Sequence, residues 1–246
     1  MIPPSLPQAF VQAAGVFDLD EALRCFAAGV DVVGLPLRLN HHTPDLSESD
    51  AATLVARARS RNPRLVFAVI TYEDDAASAA ALCLAVGAQV LQLHGPLDPE
   101  AGLRLRAMLP DVLLMKSLIV GLGDPCLLGE EMQRHAPWAD AFLTDTYDAA
   151  SGAMGATGRV HDWAVSRSLV QRSPRPVVLA GGLTPDNVAA AVAAVHPAGV
   201  DAHTGLEDAA GRKDWARLTA FVAQARRALA PASRPAAGLV HNGTCA

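Results

Sequence analysis

The chain has 246 residues, and 20 Lys and Arg against 25 Asp and Glu give it a formal net charge of −5. It is 51% hydrophobic and only 18% charged, which excludes a disordered chain, and its acidity argues against binding to nucleic acid through a basic surface. The longest clean apolar run, Val188–Val195, is far shorter than the roughly 20 residues of a membrane span, and the N-terminus has no signal-type stretch, so we expect a cytoplasmic protein.

Short apolar runs alternate with amphipathic stretches from one end of the chain to the other. The runs carry Val, Ile, Leu or Phe without strict alternation, which is typical of strands that are buried on both faces. In chain order, the eight predicted strands are Phe10–Ala14, Val30–Leu37, Leu65–Thr71, Val90–Leu93, Val112–Ser117, Ala141–Thr144, Val177–Ala180 and Val200–His203.

The stretches between these runs carry helix-start signals. Asp18 is a predicted N-cap, and Ser47 with Asp50 three residues later resembles a capping box. Further along, Thr184 is a predicted N-cap with Pro185 at the first helical position. The chain therefore predicts eight alternations of strand and helix.

Eight such units predict an α/β protein with a single (β/α)8 TIM barrel, a fold that typically needs about 250 residues. The barrel is expected over residues 1–230, and residues 231–246 are predicted to form a flexible tail because they lack periodicity. The cysteines lie far apart and are expected to be isolated, buried thiols rather than disulfides or zinc ligands. They are Cys25, Cys83, Cys126 and Cys245.

In such a barrel, the active site lies at the carboxyl ends of the strands. Several polar residues are predicted at those ends, and they are His41, His42, His94, Lys116, Asp145, Asp201 and His203. Two glycine motifs follow the last two strands, where barrels of this type bind phosphate. We therefore expect Gly181, Gly182, Thr204 and Gly205 to bind the phosphate of a small metabolite.

Several segments, in this order, resemble the phosphoribosylanthranilate isomerase family from about residue 9 to 229. They are Leu91-Gln92-Leu93-His94-Gly95, Ala141-Phe142-Leu143-Thr144-Asp145-Thr146, the stretch 155–163, Leu179-Ala180-Gly181-Gly182-Leu183-Thr184-Pro185-Asp186-Asn187-Val188, and Val200-Asp201-Ala202-His203-Thr204-Gly205-Leu206-Glu207 followed by Gly211-Arg212-Lys213-Asp214. The resemblance implies a cofactor-free barrel that converts an aminoaldose phosphate into an aminoketose phosphate by an Amadori rearrangement.

The resemblance also assigns roles to particular positions. The family's general acid matches Asp145, and its basic cysteine, in a Lys-Ile-Cys-Gly motif, falls on Ala14, because the motif reads Gln12-Ala13-Ala14-Gly15 here. Substrate-binding roles fall on a further set of positions, namely His94, Arg159 and Asp201.

Three departures from the family pattern affect the expected chemistry. Ala14 cannot move a proton, the loop after the second strand lacks the arginine that binds the anthranilate carboxylate, and His203 stands where the family has a serine. An imidazole could replace the missing base, so His203, His41 and His42 are the candidates. We therefore expect an acid–base isomerase that acts on a phosphorylated sugar or sugar-like metabolite and has an altered substrate.

Three alternatives stay open. One is a genuine phosphoribosylanthranilate isomerase of tryptophan biosynthesis with a relocated base. Another is a metal-dependent lyase or hydrolase that uses the histidines of the barrel mouth together with Asp45, and the last is a non-catalytic module that binds a phosphorylated ligand. The main expectation includes no metal, no cofactor, no nucleic-acid or membrane partner, and a monomer or homodimer.

Overall fold

The computed structural model of the chain describes residues 6–40, 43–148, 153–154 and 160–230. Within these residues, eight parallel strands form one closed barrel, in which β1 pairs with β2 and β8 and the chain of pairings closes between β5 and β6. The strands are β1 Phe10–Ala14, β2 Val32–Pro36, β3 Val66–Thr71, β4 Val90–Leu93, β5 Leu113–Val120, β6 Ala141–Asp148, β7 Val177–Leu179 and β8 Gly199–Ala202. The predicted (β/α)8 barrel is confirmed.

The helices alternate with these strands, as the predicted pattern requires. They are α1 Leu19–Ala27, α2 Glu48–Arg61, α3 Ala76–Val86, α4 Pro99–Met108, α5 Pro125–His135, α6 Trp163–Arg172, α7 Val188–Val195 and α8 Trp215–Leu229, with a 3-10 turn at Thr204–Leu206. None of the helices in the described part of the chain is long and apolar enough to cross a membrane. The predicted tail 231–246 lies outside the described residues.

Two strands run further than their predicted ends, Ser117 and Thr144. β5 and β6 stay paired from Met115 and Ala141 up to Val120 and Thr146, and the end of β6 also pairs with a two-residue strand, Ala153–Met154. The residues that end β6 are polar, so an apolar pattern cannot extend the strand through them. Backbone pairing, which does not depend on side-chain polarity, carries β6 into the site.

The helix caps agree with the sequence except at α7. The side chains of Asp18 and Ser47 accept hydrogen bonds from the backbone N–H groups of the third residues after them. The prediction of Thr184 as an N-cap is wrong, because α7 begins after Asn187. The Asn187 amide instead accepts from the Thr184 N–H and donates to the Gly182 carbonyl, which folds residues 182–187 into a turn in front of the helix.

The barrel interior explains where the polar residues gather. A layer of apolar side chains fills the half of the barrel nearer the amino ends of the strands. The residues of this layer are Phe10, Val32, Ala68, Val90, Leu113, Met115, Ala141, Leu143, Val178 and Ala180. Side chains alternate along a strand, so the next inward positions toward the carboxyl ends are Gln12, Gln92, Asp145 and Asp201. The Gln12 amide donates to Gln92 Oε1 at 2.8 Å across the barrel. This hydrogen bond lies where the apolar layer ends and the polar residues toward the carboxyl ends of the strands begin.

The cysteines of the described residues are free thiols. Cys25 and Cys83 are buried, as expected, but Cys126 is exposed. The expectation of burial is wrong there because Cys126 lies in the first turn of α5, where its neighbours are exposed as well. Cys245 lies outside the described residues.

Candidate active site

A cavity of about 260 Å³ opens at the carboxyl ends of the strands. It brings together seven of the residues singled out in the sequence, which are Ala14, Asp45, His94, Asp145, Asp201, His203 and Thr204. Its other lining residues include the mostly apolar set Phe17, Pro36, Leu39, Thr43, Ile70 and Tyr72. The cavity therefore has a polar floor and a wall suited to a flat organic group.

A smaller niche of about 30 Å³ adjoins the cavity between the ends of β7 and β8. Its lining includes the four residues of the predicted phosphate site, Gly181, Gly182, Thr204 and Gly205. Gly181 has a φ of +88°, and a Cβ there would overlap the Thr146 hydroxyl. Backbone N–H groups in such a glycine turn can approach an anion closely.

Asp145 lies at the end of β6 and is almost completely buried. Its Oδ1 accepts the Thr146 N–H at 2.7 Å, and its Oδ2 lies 3.7 Å from His94 Nε2. Burial raises the pKa of Asp145 to about 7, although the Thr146 N–H opposes the shift. A substantial fraction of this carboxyl group therefore carries a proton near neutral pH, as a general acid requires.

Asp201 is a second buried carboxyl group on the same floor. Burial and repulsion from Asp145 raise the pKa of Asp201 to about 8, against smaller opposing effects that include a hydrogen bond with Gln12. Gln12 offers an amide but no charge at the position of the family's lysine. The two carboxyl groups are thus buried close enough to repel each other, and double ionisation is unfavourable.

His203 is the first residue after β8, and its imidazole lies beside the position of the missing base. A Cβ on Gly15, the residue after Ala14, would overlap Nε2 of this ring. The same Nε2 lies 3.1 Å from Glu207 Oε1, which also accepts a hydrogen bond from Lys213 Nζ at 2.7 Å. The structure thus brings a titratable group next to Ala14 and a carboxylate next to that group.

Reasoning from the sequence gave no role to Glu207 and Lys213, although the four-residue spacing from His203 to Glu207 is a usable signal. The sequence places His161 in or beside a strand-end loop but predicts no contacts for it. Behind the phosphate niche, His161 Nδ1 lies 2.9 Å from the Thr146 hydroxyl and its Nε2 lies 2.6 Å from the Ser166 hydroxyl. Burial lowers the pKa of His161 to about 4, despite the nearby Asp162, so this ring is neutral.

Other residues of interest lie away from the cavity or outside the described residues. Lys116 is buried on the outer side of the barrel, where its Nζ donates to the Ser117 carbonyl and lies 3.7 Å from Glu131 Oε1. It therefore does not join the candidate site. His41, His42 and Arg159 were also predicted to be site residues, and they lie outside the described residues.

The guanidinium of Arg38 is paired with two carboxylates and does not line the cavity. Its Nε lies 2.7 Å from Glu48 and its Nη1 lies 3.2 Å from Glu73. No arginine or lysine lines the cavity among the described residues, and the same residues contain no cluster of three or more His, Cys, Asp or Glu side chains that could hold a metal ion.

Comparisons with known proteins cover most of the chain. Residues 26–224 match the model of a family described as N-(5'phosphoribosyl)anthranilate (PRA) isomerase. The chain is 39% identical over 222 residues to the N-(5'-phosphoribosyl)anthranilate isomerase of Haloferax volcanii, covering 89% of this chain and 93% of that protein. It is 33% identical over 217 residues to N-(5'-phosphoribosyl)anthranilate isomerase 2 of Methanosarcina mazei, covering 88% and 93%.

A solved structure gives the same picture. Phosphoribosyl anthranilate isomerase from Thermococcus kodakaraensis superposes with a TM-score of 0.69 at 30% identity, covering 88% of this chain and 98% of that chain. The residues matched by the family model include Asp145, the glycine turns and His203.

Proposed function

The chain belongs to the phosphoribosylanthranilate isomerase family, and from this premise we propose that it carries out the family's Amadori rearrangement with His203 as the base. The family is one of isomerases that act on a phosphorylated substrate. The shared name of the relatives favours a phosphoribosylanthranilate isomerase of tryptophan biosynthesis with a relocated base over the expectation of an altered substrate. The observation that carries the proposal is the position of the His203 ring, which lines the cavity and lies against Gly15 through its Nε2, Cδ2 and Cε1 edge.

Asp145 starts the reaction as the general acid. Its proton passes to the ring oxygen of the aminoaldose, so the bond between that oxygen and C1 breaks and an iminium forms between C1 and the nitrogen. A carboxyl group with a pKa of about 7 keeps enough of the acid form for this step at neutral pH. The Thr146 N–H holds Oδ1 of this carboxyl group, and the buried His94 ring lies 3.7 Å from Oδ2.

His203 then removes the proton from C2 of the opened chain. The electron pair of the C–H bond forms a double bond between C2 and C1, and the pair of the C1–N double bond returns to nitrogen. The resulting enolamine becomes the aminoketose when C1 gains a proton and the C2 hydroxyl loses one. Imidazole suits this step because it exchanges protons near neutral pH.

Among the described residues, glycine turns and a hydroxyl group rather than charged side chains line the phosphate niche, apart from the carboxyl groups of Asp145 and Asp201 and the imidazole of His203. The net charge of −5 gives no general attraction for an anion, so binding depends on the turns at Gly181, Gly182 and Gly205 and on the Thr204 hydroxyl. The adjacent niche would hold the phosphate while the sugar extends over the floor between Asp145 and His203.

A second candidate function is the same rearrangement on a ribosylamine that has no carboxylate on its amine substituent. The observation that favours it is Asp45, a half-buried carboxyl group in the outer wall of the cavity. Burial raises the pKa of Asp45 above its usual range, while His203 and Lys213 oppose the shift. The described lining of the cavity contains no Arg or Lys that could pair with a carboxylate of the substrate.

A direct assay separates the two candidates. The full chain is incubated with freshly generated phosphoribosylanthranilate and, separately, with a phosphoribosylated amine that lacks the carboxylate, and the ketose product is followed. Turnover of the first substrate that Asp145→Asn and His203→Ala both abolish supports the main proposal. Turnover of only the second substrate supports the second candidate, and no turnover of either refutes both.

A further inference from the structure

We propose that Glu207 is a positioning residue that fixes the tautomer of His203, and that Lys213 in turn holds Glu207 in place. This inference rests on the proposed function, in which His203 is the base. It adds two residues to the reaction, neither of which needs to touch the substrate.

The three side chains are joined within one short segment after β8. The 3-10 turn Thr204–Leu206 brings Glu207 back beside His203, so that Oε1 lies 3.1 Å from Nε2. Lys213 donates to the same oxygen at 2.7 Å and to the His203 carbonyl at 3.3 Å.

Backbone hydrogen bonds also hold the segment from His203 to Asp214 in place. The Lys213 backbone N–H donates to Glu21 Oε1 at 2.7 Å, and the Asp214 N–H donates to the Leu206 carbonyl at 2.8 Å. Glu207 and Lys213 additionally form an antiparallel bridge. The carboxylate therefore approaches the imidazole from a direction that the backbone sets.

This geometry decides which nitrogen of His203 can act as the base. Neutral imidazole carries one proton, and an ionised carboxylate at Nε2 keeps that proton on Nε2. The lone pair is then on Nδ1, which lies on the side of the ring away from Gly15, since Nε2, Cδ2 and Cε1 are the ring atoms nearest to a Cβ placed there. The proton from C2 passes to Nδ1, and the imidazolium that forms faces the Glu207 anion until C1 takes a proton, which is the role of the carboxylate in a Ser-His-Asp triad.

Lys213 keeps Glu207 in the form that this role requires. Burial alone would raise the pKa of Glu207, but the hydrogen bonds and charges of His203 and Lys213 outweigh burial and lower the pKa to about 2. Glu207 thus stays ionised and does not compete with His203 for the substrate proton. The Lys213 side chain is only 2% exposed, so water screens this ion pair little.

The first test reads the tautomer without turnover. The full chain is labelled with ¹⁵N-histidine, and His203 is assigned by comparison with His203→Ala. At neutral pH we expect the neutral ring of wild type to carry its proton on Nε2, and Glu207→Ala to give a mixture of the two tautomers. Asp208→Asn is the matched control, because it removes an exposed carboxylate from the next position and should leave the spectrum unchanged. A proton on Nδ1 in wild type, or an unchanged spectrum in Glu207→Ala, would overturn the inference.

The second test measures how the negative charge of Glu207 affects turnover. Glu207→Gln keeps an acceptor near Nε2 but removes the anion that faces the imidazolium. We expect kcat to fall about 10- to 100-fold, with KM changed less than about threefold. An unchanged kcat would overturn the positioning role while leaving the proposed function intact. A wild-type chain with no turnover would refute the proposed function. The tautomer measurement would then still test whether Glu207 fixes the tautomer of His203.

Discussion

The imidazole of His203 occupies the space that a side chain on Gly15 would need. β1 and β8 are paired through Ala13 and Ala202, so the next residues, Ala14 and His203, are neighbours across the same seam of the barrel. An imidazole on β8 can therefore reach the place from which a cysteine on β1 acts in the family.

Gly15→Ala should displace this imidazole and reduce kcat by at least about tenfold, because a general base works only when it is within reach of its proton. Gly15 has a φ of +74°, so alanine there also costs about 1 kcal/mol of stability through backbone strain. Steady-state kinetics and thermal unfolding of the variant measure the two effects separately.

Gly87→Ala is the matched control for this variant. Gly87 has the same φ of +74°, but a Cβ there would meet only Val55 Cγ1 at 3.9 Å. It should lose similar stability and keep wild-type kcat. Equal losses of kcat in both variants would show that strain, not displacement of His203, causes the effect.

The free energy of unfolding of Asp145→Asn, measured relative to that of wild type, should increase as the pH rises. The carboxyl group has a folded pKa of about 7 against an ordinary value of 3.8, so the folded state loses stability between these pH values and has lost it fully above about 7. The advantage of the variant should grow by about 1 to 2 kcal/mol between pH 5.5 and pH 8. Chemical denaturation at both pH values measures it, and a constant difference would contradict the assigned pKa.

The activity of the wild-type enzyme should decline above about pH 7, because Asp145 must carry a proton to open the sugar ring. A profile of kcat/KM against pH in the free enzyme measures this limb directly. Activity that keeps rising to pH 9 would rule out Asp145 as the acid.

Gly181→Ala should weaken phosphate binding. A Cβ would collide with the Thr146 hydroxyl and lie 3.0 Å from His161 Nδ1, so the turn must open. We expect KM to rise at least about tenfold with a smaller effect on kcat. Gly123→Ala has a similar φ, +83°, with nothing within 4 Å of its Cβ, and it should leave KM unchanged; a parallel rise in both variants would argue against the phosphate site.

Arg38→Ala should leave KM within about twofold of wild type, because Arg38 pairs with Glu48 and Glu73 and does not line the cavity. The pair with Glu48 is partly exposed, so the loss of stability should stay below about 1 kcal/mol. A large rise in KM would show that Arg38 turns toward the substrate and supplies the carboxylate contact.

The barrel could be predicted from the sequence because each strand and helix repeats the same local pattern. The exceptions are informative. β6 was predicted to end at Thr144 because Asp145 and Thr146 are polar, and their polarity serves the site rather than a core. Thr184 fits the composition of an N-cap, but the Asn187 side chain closes a turn there instead.

The site could be predicted only in part, for a different reason. Asp145, Asp201 and His203 lie at predicted strand ends, and topology alone brings those ends together. The pairing of His203 with Glu207, and the contact of Thr146 with His161, depend on how turns fold back after the strands. The spacing of residues along the chain does not determine how a turn folds back. The charge of Lys213 has a role in the site only because the turn brings it to Glu207.

The most direct test of the relocated base compares turnover of phosphoribosylanthranilate by wild type, His203→Ala and His203→Ala combined with Ala14→Cys. We expect His203→Ala to lower kcat about 10²- to 10⁴-fold, and a thiol at position 14 to recover part of the loss, because it places a base where the family has one. Wild-type kcat in His203→Ala would contradict the account.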